Sequence, residues 1–141
     1  EMQLEVKINL ILHATEDENK VLEELGKNFN IEQKEFQIEQ IPGHFNNPIL
    51  LISSKLKRKS AHNFVSSFFL KMKKDEFQEI FENVEDFVTS SGLNLRISKQ
   101  KLISGILTMS KEDTIKINIS TPVYVKNETK KIYQELMKCD P

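Results

Sequence analysis

Between Leu4 and His13 the chain alternates without a break, and then its period changes. Leu4, Val6, Ile8, Leu10 and Leu12 fall on one side of an extended chain, with Glu5, Lys7, Asn9, Ile11 and His13 on the other. Period two over this length specifies a strand with one buried face. Soon afterwards Val21, Leu22, Leu25 and Phe29 recur at helical spacing. A chain that opens this way must lay a helix on one face of a sheet, which points to a two-layer α+β sandwich.

The rest of the chain supplies the other elements. Phe36 and Ile38 mark a second strand, and PGHFNNP, Pro42 to Pro48, is dense in turn formers. Ile49 to Leu56 begins apolar on both faces, as an interior strand does. Ala61, Phe64, Val65, Phe68, Phe69 and Met72 keep helical spacing, with Ser60 as N-cap. A second set follows at Phe77, Ile80, Phe81, Val84, Phe87 and Val88. The phase slips between the two sets, so a break is expected at Lys73–Lys74, with Asp75 capping the second helix and Ser91-Gly92 stopping it. Strands are then expected over 93–97, 101–109 and 115–119, the last two linked by Lys111-Glu112-Asp113. Ile132, Tyr133, Leu136 and Met137 form one side of a final helix. The expected order is β-α-β-β-α-α-β-β-β-α, with a largely antiparallel sheet, helices on one face, and residues 1–141 as a single domain.

Net charge is −1, but the charges come in blocks. Residues 1–39 hold ten acids and four bases; residues 40–74 hold seven bases and no acid. Residues 75–86 carry six acids and no base, residues 87–111 four bases and no acid, and the last thirty residues balance at zero. Folding could gather the basic blocks into a cationic face on a nearly neutral protein; solvated surface is the plainer alternative. With one cysteine there is no internal disulfide, and no apolar run approaches the roughly 20 residues that span a bilayer. The opening residues lack the pattern of a secretory leader. A cytoplasmic protein is expected.

In HATEDENKV, Thr15 and Glu18 have the spacing of a capping box, and Glu16 and Asp17 suit the first turn of a helix. That leaves His13 unexplained at a strand rim. His44 and Asn47 lie in PGHFNNP, where amides and an imidazole could contact a base or a phosphate. Arg58 and Lys59 precede a helix start, which suits phosphate. Arg96, Lys99, Gln100 and Lys101 cluster in LRISKQKL; the alternative is an edge strand kept soluble by lysines. There is no Gly-rich phosphate loop, no nucleophile elbow and no recognised metal-ligand spacing. The phenylalanines sit at core spacing rather than as base-stacking platforms.

HATED, GHFNNPIL and LRISKQKLISGIL, in that order, resemble an archaeal family of predicted exosome-subunit or RNA-binding proteins, formerly a domain of unknown function. The resemblance spans nearly the whole chain. It implies RNA association and a fold like that of ribosomal protein L5, and it matches His13, Gly43, Asn47, Pro48, Arg96, Lys99 and Gln100 to motif positions. Asn46 stands where the family usually has glycine, and Ser98 where it usually has aspartate.

The expected function is therefore a small, non-enzymatic RNA-binding accessory protein, associated with RNA processing or the exosome, with no cofactor and no membrane. His13, His44, Asn47, Arg58, Lys59, Arg96, Lys99, Gln100 and Lys101 are its candidate RNA contacts. The alternatives are a protein–protein subunit docking through the acidic block Asp75–Asp86, and a hydrolase using His13 with His44.

Overall fold

The computed structural model describes residues 3–13, 16–43 and 47–138. Its strands are β1 (Glu5–His13), β2 (Phe36–Pro42), β3 (Pro48–Lys57), β4 (Val88–Thr89), β5 (Gly92–Ser98) and β6 (Thr114–Ser120). Its helices are α1 (Glu18–Phe29), α2 (Arg58–Lys71), α3 (Lys74–Glu82), α4 (Val84–Phe87), α5 (Lys99–Ile103) and α6 (Thr129–Met137). The strands form one six-stranded sheet in the order β2-β3-β1-β6-β5-β4, and every pairing is antiparallel. No helix among the described residues is long and apolar enough to cross a membrane.

The alternation in β1 dictates the layering. Val6, Ile8, Leu10 and Leu12 are buried beneath the helices. They are joined there by Ile52 and Leu56 of β3, Leu93, Leu95 and Ile97 of β5, and Ile115, Ile117 and Ile119 of β6. The stripes read as helical supply the other side of the core, with Val21, Leu22, Leu25 and Phe29 from α1 and Phe64, Val65, Phe68 and Phe69 from α2. Phe29, Phe64 and Phe68 meet with ring centroids 5.0 to 5.8 Å apart, the spacing of favourable aromatic pairs. The opposite face of the sheet carries the odd-numbered residues of β1 and β3, and no helix among the described residues covers it.

Several local expectations are corrected. Residues 101–109 are not a strand. Ser98 caps α5 by accepting from the Lys101 N–H at 3.1 Å, and only Met109 returns to the sheet, as a single bridge to Ile97. Helix α1 is capped by Asp17, which accepts from the Lys20 N–H; Thr15 lies outside the described residues. Helix α2 begins at Arg58 with no side-chain cap, so Ser60 is already inside it. Helix α3 likewise starts ahead of Asp75, which sits in its first turn. Val88 has left the helix for β4, and Ser90-Ser91 form a two-residue turn closed by the Thr89–Gly92 pair. Gly92 has φ +122, and a Cβ there would stand 2.5 Å from the Ile119 carbonyl oxygen.

The segment around His13 is fastened by a buried ammonium. Lys99, only 1% exposed, donates to the Ile11 carbonyl at 2.7 Å, to Glu16 at 2.9 Å and to Asp113 at 2.9 Å. Glu16 also accepts from the His13 N–H, and Gln100 bonds to Asp113 at 3.2 Å. Glu16 is thus a counter-ion rather than a first-turn residue of α1. Burial pushes the Asp113 carboxyl up, but hydrogen bonds from Lys99 and Gln100, with the charges of Lys99 and His13, outweigh it and hold the group below its ordinary value.

Four outcomes test this account. Gly92→Ala should cost roughly 2–3 kcal/mol in urea unfolding, because strain at φ and a clash coincide. Gly105→Ala, at φ +84 with open space around it, should cost roughly 1 kcal/mol. Lys99→Met should cost about 3 kcal/mol, the low end for breaking a buried pair, since Asp113 can rehydrate. A depressed carboxylate adds stability that is present above its unfolded value and lost as pH falls below about 4. The gap between wild type and Asp113→Asn should therefore shrink on acidification from about pH 6 to about pH 3.

Candidate nucleic-acid interface

The open face of the sheet is built by strand register. Gln37 of β2 lies opposite Ser53 of β3, Ser53 opposite Asn9 of β1, Asn9 opposite Lys116 of β6, and Lys116 opposite Arg96 of β5. Five strands thus put an amide, a hydroxyl, an amide, an ammonium and a guanidinium in one row. Four inter-strand steps make it about 19 Å long. A second row runs Lys55, Lys7, Asn118, Asn94. On the other side of the first row Ile11 faces Leu51, and Ile41 faces Ile49. Ile11 is 48% exposed. The sheet's concavity here encloses about 820 Å³, with His13 at its rim.

The two basic pairs on this face differ in their compensation. Lys7 and Lys55 stand opposite one another but share Glu5, at 4.0 and 3.3 Å. Arg96 and Lys116 also stand opposite one another, and neither has an ion pair among the described residues. Like charges directly across a ladder oppose folding by a few tenths of a kcal/mol to about 1 kcal/mol. An anion seated between them would reverse that sign.

The candidates named from sequence do not form one cluster. Arg96 is exposed at the end of the polar row. His13 is exposed at one end of β1, paired with Ile49, while Arg58 and Lys59 follow Lys57, which pairs with Glu5 at the other end. Eight residues of strand separate the two ends by about 26 Å. Asn47 is exposed just before β3, on the His13 side, and Gln100 and Lys101 are exposed on α5. His44 lies outside the described residues, as does Asn46. Lys99 is corrected as a direct RNA contact: its ammonium is buried and three acceptors take it. Gln100 is partly committed to the same cluster. No group of three or more His, Cys, Asp or Glu able to hold a metal occurs among the described residues.

Lys116, Lys7, Asn9 and Gln37 were missed by block-wise charge counting, while Lys55 fell in a basic block without being named as a contact. Lys116 was hidden because the last thirty residues balance to zero. The parity of the strands holds the signal, since alternate residues of β1, β3, β5 and β6 must all face the same way once the apolar set is buried.

Comparison with known proteins adds a family to this geometry. Over 126 residues the chain is 30% identical to a Pyrococcus abyssi protein named an RNA-binding protein, covering 84% of this chain and 82% of that one. It is 26% identical over 135 residues to an uncharacterised protein of Methanocaldococcus jannaschii, covering 90% and 91%. The crystal structure of a DUF54 protein from Methanothermobacter thermautotrophicus superposes with a TM-score of 0.76 at 25% identity, covering 98% of this chain and all of that one. A family model described as RNA binding matches residues 5–121, and the chain belongs to that family.

Proposed function

We propose that the protein binds RNA on the open face of its sheet, with Arg96 and Lys116 as the central phosphate contacts. The observation that carries this reading is their uncompensated placement side by side on a face without helical cover. Family membership and the name of the Pyrococcus abyssi relative support it. Cations would meet phosphates and set the register, while Asn9, Ser53 and Gln37 offer donors and acceptors to base edges or 2′-hydroxyls. The Ile11, Ile49 and Leu51 floor offers apolar contact to base faces. The reading extends to an accessory role in RNA processing, with exosome-type machinery as partner and the L5-like fold as scaffold. The exposed acids Asp75, Glu79, Glu82, Glu85 and Asp86 lie on α3 and α4, in the helix layer, and would leave the sheet free for RNA. Proteins captured from a nuclease-treated archaeal lysate would test that extension; loss of all of them on nuclease treatment counts against a direct protein partner.

Arg96→Ala with Lys116→Ala should weaken RNA binding and lower the slope of log affinity against log salt by about 1.4 for a single strand. Thermal stability should stay level or rise slightly, because two opposed like charges are gone. Unchanged affinity and slope would remove this face from the interface.

A further inference from the structure

A groove at one end of the sheet has no part in the polar row. About 1180 Å³ lies between the β4–β5 turn and residues 121–130. About 770 Å³ more continues from it past Lys57 and Arg58, sharing the walls Ser90, Ser91, Ser120, Thr121 and Pro122. Its charged lining is Lys57, Arg58, Lys126 and Lys130 against Glu5 and Glu85. None of the four cations has an ion pair among the described residues, while Glu5 serves Lys7 and Lys55. Glu5, Lys57 and Ser120 also end the rows of the open sheet face, so groove and face are continuous.

The aromatic residues are distributed unevenly. Phenylalanines of the described chain are buried or packed against the core, and Tyr133 is buried with its hydroxyl accepting from the Thr121 N–H at 3.4 Å. Tyr124, on the groove wall, is 92% exposed. Burying a ring is favourable, so one left in solvent beside unpaired cations suits a partner that brings its own flat surface. The opposite wall is held in place. Asn118 donates to the Ser91 carbonyl and to Asn94, and Asn94 donates to Thr89, so the turn is tied to the open face by an amide ladder.

We infer that this groove takes an unpaired stretch of RNA, with a base stacked on Tyr124 and the adjoining phosphates held by Lys126, Lys130 and Arg58. The inference rests on the RNA-binding reading and names its substrate class, single-stranded rather than duplex RNA. A duplex keeps its bases stacked inside and presents none to a lone ring.

The test compares a single-stranded oligouridine with a blunt RNA duplex of equal length, by anisotropy and by tyrosine emission. The chain has two tyrosines and no tryptophan; Tyr133 emits too but is buried away from added RNA, so the RNA-dependent change reports Tyr124, with Tyr124→Ala giving the Tyr133 background. Wild type should prefer the single strand, with emission quenched. Tyr124→Ala should weaken single-strand binding roughly tenfold and leave duplex binding unchanged, and Tyr124→Phe should restore it. Lys126→Ala with Lys130→Ala should weaken binding and lower the salt slope. Unchanged binding by Tyr124→Ala, with a loss in Arg96→Ala/Lys116→Ala, would overturn the groove and leave the sheet reading standing. Loss in Tyr124→Ala alone would keep the groove and overturn the sheet reading. Binding of neither RNA by wild type would overturn both.

Discussion

The Lys99 ammonium joins segments far apart in the chain. It meets a main-chain oxygen of β1, a carboxylate between β1 and α1, and a carboxylate just ahead of β6. Removing a charge from water costs several kcal/mol unless partners replace its hydration, and three acceptors at 2.7–2.9 Å do so here. The exit of β1, the approach to α1 and the entry to β6 are thereby fixed together. His13 stands exposed at the depression's rim because its backbone is held by Glu16, itself held by Lys99.

One-sided burial explains the rest. An antiparallel sheet can leave a face in water, and this one fills that face with amides, hydroxyls and cations in register. Most of these choices are neutral for folding. The Arg96–Lys116 pair works against it, and a sequence that keeps an unfavourable contact on an open surface is best understood through what the contact meets there.

Layering was the legible part of the sequence. Burial of Leu4 to Leu12, of the α1 stripe and of the α2 stripe follows directly from period, because the hydrophobic effect sorts faces whatever the topology. The break between α2 and α3 was legible from the phase slip. Stretch 99–109 was not, because alternation of Leu102, Ile106 and Thr108 imitates a strand, while a serine cap and a buried lysine decide for a helical turn. The proposed interface was half legible. Charge and motif both single out Arg96, whereas Lys99 looked like its companion until burial separated them. Lys116 and Tyr124 lie in a stretch whose charges cancel, and only the register and the turn positions give them meaning.

The place of β1 has a consequence for how the chain assembles. The first strand is interior, yet one of its two neighbours is β6, more than a hundred residues away. As the chain emerges during synthesis, β1, β2 and β3 can meet early. The other edge of β1 must wait, with its hydrogen-bonding groups facing water, until residues 114–120 have been made. Such late, distant closure slows folding and leaves a template on which a wrong strand could pair. Polar and charged residues on the outward side of β1, and the late arrival of the Lys99 clamp, make the finished sheet hard to imitate from a partial one. The surface proposed for RNA is complete only when β1 and β6 have come together.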